Sequence, residues 1–189
     1  GQASDTETFV AIRADIDNWR WAGVPFYLRT GKALGVRDTE VVVTFRDVPF
    51  ASFPSTRNAD LPPNQMIFQI QPDEGIDMGI LIKRPGLEIA TEQATLSYRY
   101  DKAELADLTG YESLFHDVLR GDQSLFQRAD AIEAGWRAVQ PFLDAWAEDD
   151  ATGPEPYAPG TAGPRGAERL LERDGRRWHA IVDRVEDKA

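Results

Sequence analysis

The stretch DNWRWAGVPFYLRTGK, residues 17–32, is the part of the sequence on which the fold prediction depends most. Trp19 and Trp21 lie close to Gly23 and Pro25, and this mixture of aromatic and turn-forming residues predicts a tight turn braced by buried aromatic side chains. Aromatic, aliphatic and β-branched residues follow, which favours an extended strand that ends at Gly31. Apolar residues also alternate over residues 8–17, so the sequence predicts a strand on each side of the turn.

The end of this stretch is positively charged in an acidic chain. Residues 27–37 contain Arg29, Lys32 and Arg37 and no carboxylate, although the formal net charge of the whole chain is -11. One interpretation is a strand end whose basic side chains pair with acids elsewhere in the protein. The other is a binding site for an anionic or hydroxyl-rich ligand, for which lysine and arginine are suitable donors. The residues by themselves leave both interpretations open.

Residues 8–100 are predicted to be rich in strands. Apolar and polar side chains alternate over residues 40–48, 64–71 and 76–83, and Pro, Asp and Gly residues mark the turn between the last two. Such short connections favour antiparallel pairing, because a parallel pair needs a long crossover.

Residues 104–148 are predicted to be helical, and residues 149–189 are predicted to form a wrapping tail. Tyr111, Leu114, Phe115 and Val118 follow the spacing of an amphipathic helix, and a second helix is expected to begin near Asp130. The tail is rich in Gly and Pro before a short helix at residues 164–173. Many strands followed by helices predict an α+β fold, with a large, mostly antiparallel sheet and helices packed on one face.

Composition and motif searches exclude several classes of function. The chain has no cysteine, so it has neither disulfides nor thiolate metal sites. Its sequence pI of about 4.6 argues against a nucleic-acid partner, and its apolar runs are too short to cross a membrane. No glycine-rich nucleotide motif, metal-binding pattern or serine-nucleophile motif appears. His116 lies beside the apolar stripe of a helix, far from His179 in the sequence, and is interpreted as structural. We therefore predict no catalytic, cofactor-binding or metal-binding residue in this chain.

Several segments, in order, resemble one enzyme family. They are TETFVAIRADIDNW (6–19), the opening stretch as far as RTGKAL, VTFRDVP (43–49), NQMIFQIQPDEGI (64–76), KRPG (83–86) and YESLFHDVLRGDQSLFQRADAIEAGWRAVQPFL (111–143). Together they resemble the C-terminal domain of glucose-6-phosphate dehydrogenase, and the resemblance covers nearly the whole chain. It implies that residues 1–189 form a single domain of that kind.

The resemblance also implies a function that this chain serves only in part. The complete enzyme of this family oxidises glucose 6-phosphate to 6-phosphogluconolactone and reduces NADP, in the oxidative pentose phosphate pathway. The N-terminal Rossmann domain, the catalytic histidine and the phosphate-binding block of the family are absent from this sequence. We therefore expect a cytoplasmic domain that binds substrate, forms a homodimer through its sheet and is inactive alone. The alternative is a free-standing, non-catalytic module for sugar-phosphate binding or dimerisation.

Three substrate-binding positions of the family fall on residues of this chain. Lys32 is the lysine of the RTGKAL segment, Arg37 is the basic residue five positions later, and Gln71 is the glutamine of IQPDE. Lysine and arginine keep their charge at neutral pH, and a glutamine amide both donates to and accepts from hydroxyl groups. These three side chains are therefore suited to a sugar phosphate.

Some members of the family hold a second, structural NADP on this domain, and here the resemblance is incomplete. Arg29 matches one of the arginines of that site. Other basic positions of that site are occupied in this chain by Asp38, Val42, Gln69 and Gly79. A phosphate that faced Asp38 without those cations would be held poorly. We therefore expect no cofactor on this chain, and we expect Arg29 to pair with a local carboxylate.

Overall fold

A computed structural model describes residues 6–50, 61–87, 90–100, 110–148 and 154–180. Among the predicted elements, parts of the strand-rich region (51–60 and 88–89), of the helical region (104–109) and of the tail (149–153 and 181–189) lie outside the described residues. The strands are β1 (Phe9–Asp15), β2 (Pro25–Gly31), β3 (Thr39–Thr44), β4 (Gln65–Gln71), β5 (Gly75–Lys83) and β6 (Thr91–Arg99), and the helices are α1 (Gly110–Arg120), α2 (Ala129–Glu148) and α3 (Arg165–Glu172).

The chain divides into two compact units. The hairpin unit comprises Gly1–Val36 and Asp107–Ala180, and the sheet unit comprises Arg37–Ala106 and Ile181–Ala189. The described strands accordingly form two sheets, one of two strands and one of four, where the sequence predicts a single sheet. Every strand pair is antiparallel, as the short connections predict.

The sheet unit is a four-stranded meander in the order β3-β4-β5-β6. Its register aligns apolar residues across all four strands: Val41 pairs with Phe68, Phe68 with Ile76, and Ile76 with Tyr98. The neighbouring row on the same side is Val43, Met66, Met78 and Leu96. Since directly paired residues lie on the same side of an antiparallel sheet, these rows form one apolar face. We call this surface, made of the eight residues of the two rows, the apolar face of the sheet unit.

The hairpin unit is built on the pairing of β1 with β2, from Phe9 opposite Gly31 to Asp15 opposite Pro25. The predicted turn between them is stabilised by Asn18, whose side-chain oxygen accepts hydrogen bonds from the backbone N–H groups of residues 20 and 21 at 3.1 and 2.8 Å. Trp21 packs edge-on against Phe26, with ring centroids 5.4 Å apart. Trp19 is 90% exposed, so the prediction that it is buried is wrong. The Asn18 hydrogen bonds hold the turn through the backbone, which leaves the Trp19 side chain pointing to solvent.

Residues 154–180, which we call the C-terminal arm, pack on this hairpin. Helix α3 contacts β1, and its Ala167 and Leu171 are the buried apolar residues of the described chain. The indole N–H of Trp178 donates to the carbonyl of Ala167 at 2.9 Å, which folds the end of the arm back onto α3. The short helix predicted at residues 164–173 is therefore present, and its apolar side is its buried side.

Helices α1 and α2 follow the predicted amphipathic spacing, but their apolar stripes are exposed. The carboxylate of Asp130 accepts a hydrogen bond from the Ala131 N–H at 3.0 Å and pairs with Arg128 at 2.7 Å, close to the predicted helix start. Pro141 lies within a continuous α2. None of the helices formed by the described residues is long and apolar enough to cross a bilayer.

Candidate functional site

Lys32 follows directly after β2, and its backbone is held on both sides. Its N–H donates to the carbonyl of Thr8 at 2.8 Å, and its carbonyl accepts a hydrogen bond from the Tyr157 hydroxyl at 2.7 Å. The side chain is exposed, and its ammonium makes no hydrogen bond or ion pair with another described residue. Lys32 therefore presents from a fixed backbone a cation that no other described residue pairs, an arrangement suited to binding an anion.

The loop that follows Lys32 is joined to the C-terminal arm by backbone hydrogen bonds. The Gly160 N–H donates to the carbonyl of Ala33 at 2.9 Å, and the Gly35 N–H donates to the carbonyl of Thr161 at 3.0 Å. Ala33 has a φ of 50°, a left-handed conformation that costs a non-glycine residue about 1–2 kcal/mol. A Cβ at Gly35 would lie 2.7 Å from the carbonyl oxygen of Gly160, so this approach requires glycine. The arm thus holds residues 32–35 in place, with Ala33 in a strained conformation.

Arg37 and Gln71 lie at the same end of the sheet unit. Thr39, the first residue of β3, pairs with Gln71, the last residue of β4, and Arg37 precedes Thr39 by two positions. Both side chains are exposed, and neither hydrogen-bonds another described residue. The structure therefore brings Arg37 and Gln71 to the same end of strands β3 and β4, whereas Lys32 belongs to the hairpin unit.

Arg29 contacts the end of the C-terminal arm. Its guanidinium lies over the ring of Trp178, 4.7 Å from the centroid, and donates to the carbonyl of His179 at 3.3 Å. A cation over an indole face is attracted by the ring quadrupole, which makes the face of the neutral ring electron-rich. The predicted carboxylate partner of Arg29 is not part of these contacts and stays a prediction.

A second contact between the hairpin and the arm was not predicted from the sequence. The carboxylate of Asp174 accepts hydrogen bonds from the Tyr27 hydroxyl and from Arg13, the latter at 3.1 Å. Partial burial, followed by the hydrogen bond to Asp174 and its negative charge, raises the pKa of the Tyr27 hydroxyl. A hydrogen bond to Asp15 raises the pKa of Arg13. This cluster fixes the arm near its C-terminal end, as Tyr157 does near its start.

A buried ion pair on the sheet unit was also missed. Asp77 is buried, and both its oxygens lie 2.8 Å from the Arg99 guanidinium. Gln69, also buried, donates to Asp77 at 3.4 Å. No local sequence pattern signals this pair, because the register of β5 and β6 brings Asp77 and Arg99 together, with Gly75 opposite Arg99. A Cβ at Gly75 would collide with the backbone carbonyl of Tyr98 and would also lie 2.7 Å from the Arg99 side chain, so this position requires glycine.

The cluster of Gln69, Asp77 and Arg99 bears on whether the sheet unit can bind the phosphate of a dinucleotide. The resemblance implies that Gln69 stands at a basic position of a structural NADP site, and the cation beside it, Arg99, is already paired with Asp77. A phosphate there would face the carboxylate of Asp77 without an unpaired cation to balance it. These residues do not fit a dinucleotide phosphate, and the expectation of no cofactor on this chain stays a prediction. The described residues also contain no group of three or more side chains arranged to hold a metal ion.

Comparison with known proteins identifies the family. Residues 1–179 match the family model described as glucose-6-phosphate dehydrogenase, C-terminal domain. The chain belongs to this family. The glucose-6-phosphate 1-dehydrogenase of Mycolicibacterium smegmatis is 46% identical over 177 residues, covering 93% of this chain and 35% of that protein. That of Dickeya dadantii is 45% identical over 186 residues, covering 95% of this chain and 37% of that protein.

Solved structures of glucose-6-phosphate dehydrogenases have the same fold. The enzyme from Mycobacterium avium superposes with a TM-score of 0.76 at 38% identity, over 95% of this chain and 36% of that chain. A glucose-6-phosphate dehydrogenase in complex with its substrate glucose-6-phosphate gives 0.80 at 33% identity, over 94% and 36%. The chain spans about a third of the length of these relatives.

The comparisons confirm the family and the α+β class that the sequence predicts for this glucose-6-phosphate dehydrogenase domain. The three substrate-binding positions, Lys32, Arg37 and Gln71, stay predictions, since none of these comparisons tests individual residues. The same holds for the prediction that residues 1–189 form one domain.

Proposed function

We propose that this chain is the C-terminal, substrate-binding and dimerisation part of a glucose-6-phosphate 1-dehydrogenase. The complete enzyme would oxidise glucose 6-phosphate to 6-phosphogluconolactone and pass a hydride to NADP. The observation that carries the proposal is the family match over residues 1–179, which includes the RTGKAL segment with its exposed Lys32, whose ammonium has no partner among the described residues. A cytoplasmic location is part of the proposal, and the absence of cysteine is in keeping with it.

The residues of this chain would bind and orient the sugar phosphate. NADP, when bound by the complete enzyme, supplies the hydride acceptor. The Lys32 ammonium and the Arg37 guanidinium would donate charge-assisted hydrogen bonds to phosphate or hydroxyl oxygens. The Gln71 amide would donate to one hydroxyl and accept from another. All three side chains are exposed and have no hydrogen-bond partner among the described residues, so binding would not require an existing hydrogen bond to break.

Kinetics of Lys32→Gln in the natural gene product tests the site. Loss of one charge-assisted hydrogen bond costs about 1.5–3 kcal/mol, so KM for glucose 6-phosphate is expected to rise by about ten-fold or more. The KM for NADP should change by less than about two-fold. Lys83→Gln is the matched control, because the Lys83 ammonium donates to the carbonyls of residues 84 and 86 within a turn. An unchanged KM for glucose 6-phosphate in Lys32→Gln would contradict the site assignment.

The natural gene product also tests the alternative, in which the chain is a free-standing, non-catalytic module. A natural product of about the length of its relatives that oxidises glucose 6-phosphate supports the enzyme. A natural product that binds glucose 6-phosphate and shows no dehydrogenase activity supports the module instead.

The homodimer is supported by the apolar face of the sheet unit. Val41, Val43, Leu96 and Tyr98 on this face are exposed, and monomeric proteins rarely expose a continuous apolar surface of this kind. A second copy would cover the face and remove these side chains from water. Leu96→Glu should shift the natural product from dimer to monomer in sedimentation velocity. Thr95→Glu, one position away on the opposite side of β6, should leave the dimer intact. A dimer that survives Leu96→Glu would refute dimerisation through this face.

A further inference from the structure

The C-terminal arm reaches the backbone of Lys32 through a single side chain. The Tyr157 hydroxyl lies 2.7 Å from the carbonyl of Lys32, 3.1 Å from the carbonyl of Thr8 and 3.3 Å from the Thr8 hydroxyl. A phenol has one proton to donate, and the Lys32 carbonyl is the nearest acceptor. Tyr157 therefore ties the end of β2 to the start of β1, at the point where the proposed substrate lysine leaves the sheet.

The ring of Tyr157 is held in place by the hairpin itself. It packs edge-on against Phe9, with centroids 5.6 Å apart. Phe9 in turn lies so close to Gly31 and Gly163 that a Cβ on either glycine would collide with its ring. The Phe9 ring is thus enclosed by β2, the strand before Lys32, and by the arm. The hydroxyl of Tyr157 consequently has a fixed position relative to the Lys32 carbonyl.

Three hydrogen bonds connect residues 32–35 with residues 157–161 of the arm. They are Tyr157 to the Lys32 carbonyl, Gly160 to the Ala33 carbonyl, and Gly35 to the Thr161 carbonyl. They lie beside Ala33, the described non-glycine residue with positive φ. Strained backbone persists where the surrounding structure holds it, and such positions cluster at functional sites. The arm supplies that holding structure, although it is about 125 residues away in the sequence.

We infer that Tyr157 is a positioning residue of the substrate site, whose hydroxyl fixes the backbone of Lys32 so that the ammonium meets the sugar phosphate. The inference rests on the proposed function, in which Lys32 contacts the substrate. Tyr157 does not touch the substrate in this account. Its contribution is the reduced freedom of the Lys32 backbone before binding, which lowers the entropy lost when the complex forms.

The test is the kinetics of Tyr157→Phe in the natural gene product. The substitution keeps the ring against Phe9 and removes the hydrogen bond to Lys32. We expect KM for glucose 6-phosphate to rise about five-fold, equivalent to about 1 kcal/mol, with kcat and the KM for NADP changed by less than about two-fold. In a Lys32→Gln background the same substitution should change KM by less than about two-fold, because the side chain that it positions is gone.

The matched control is Tyr27→Phe. It removes a phenol that also joins the hairpin to the arm, by donating to Asp174, but its contacts among the described residues do not include Lys32 or the loop after it. It is expected to lower the melting temperature and to leave KM for glucose 6-phosphate unchanged. An equal rise in KM in Tyr27→Phe and Tyr157→Phe would show that arm stability, and not the Lys32 backbone, is responsible, and would overturn the inference.

The remaining outcomes are also decisive. A rise in KM in Lys32→Gln without one in Tyr157→Phe overturns the inference and leaves the proposed function intact. An unchanged KM in Lys32→Gln overturns both. If Tyr157→Phe does not fold, Phe9→Leu replaces it, because it removes the ring against which Tyr157 packs and so loosens the position of the Tyr157 hydroxyl. That variant should raise KM for glucose 6-phosphate about five-fold with kcat unchanged, and a KM changed by less than about two-fold overturns the inference.

Discussion

Replacement of Arg99 by methionine tests the buried ion pair of the sheet unit. Methionine keeps an unbranched, flexible side chain close in size to the aliphatic part of arginine, and it removes the charge that faces Asp77. The Asp77 side chain is only 8% exposed, whereas that of Arg99 is 39% exposed, so the variant removes the Arg99 cation from a nearly buried carboxylate. Breaking a fully buried pair costs about 3–5 kcal/mol, and because water partly screens Arg99 we expect a loss of about 2–3 kcal/mol.

The assay is equilibrium unfolding in urea, followed by circular dichroism and by tryptophan fluorescence. The midpoint should fall at an unchanged slope, since the surface exposed on unfolding is similar in both proteins. The double variant Asp77→Asn/Arg99→Met should be less destabilised than the sum of the two single variants, because each substitution removes one partner of the same ion pair.

Arg84→Met is the matched control on the same unit. Arg84 lies 3.8 Å from Glu92, and the two side chains are 69% and 46% exposed. Pairs this exposed contribute about 0–1 kcal/mol, so the control should lie close to the unchanged protein. Equal losses in Arg84→Met and Arg99→Met would refute the reasoning that burial gives the Asp77–Arg99 pair its weight.

Three further outcomes follow from the hairpin unit. Leu171→Ala should cost about 2–5 kcal/mol in urea unfolding, because it opens a cavity between α3 and β1, and a loss below 1 kcal/mol would contradict that packing. Because the pKa of Tyr27 is raised in the folded state, its protonated hydroxyl should stabilise the folded state fully below about pH 10, the ordinary pKa of tyrosine. This stabilisation should be lost as the pH rises through the higher pKa of the folded state. Tyr27→Phe should abolish that alkaline loss in melting curves, and an unaltered pH profile would argue against the Tyr27–Asp174 bond. Ala33→Gly should relieve the left-handed strain and raise stability by up to about 1 kcal/mol, whereas a loss above that value would show that Ala33 is not strained.

Local patterns predicted most of the secondary structure. The alternation over residues 64–71 and 76–83 corresponds to β4 and β5, and the short helix expected at 164–173 corresponds to α3. These patterns can be read from a short stretch of sequence, because side chains on one face recur every two residues in a strand and every 3.6 residues in a helix. The resemblance to the family added the assignment of Lys32, Arg37 and Gln71, which periodicity has no means to supply.

Contacts between distant residues were beyond the same reasoning. Asp77 and Arg99 are 22 positions apart, and they meet only because the β5–β6 register sets Gly75 opposite Arg99. The prediction that Trp19 is buried was also wrong, since tryptophan is usually buried. Nothing in the local sequence shows that the Asn18 hydrogen bonds hold the turn without the Trp19 side chain. Register and packing depend on the whole fold, so neighbouring residues do not reveal them.

For residues 17–32, the sequence by itself determined a turn, a strand and a cationic end at Lys32. Only the tertiary structure decided what holds that end: the Thr8 carbonyl on β1 and the Tyr157 hydroxyl on the arm. A turn and a strand follow from backbone preferences of adjacent residues. The bond from Tyr157 joins residues 125 positions apart, and it forms because burial of Ala167 and Leu171 between α3 and the hairpin offsets the entropy lost when the arm is ordered.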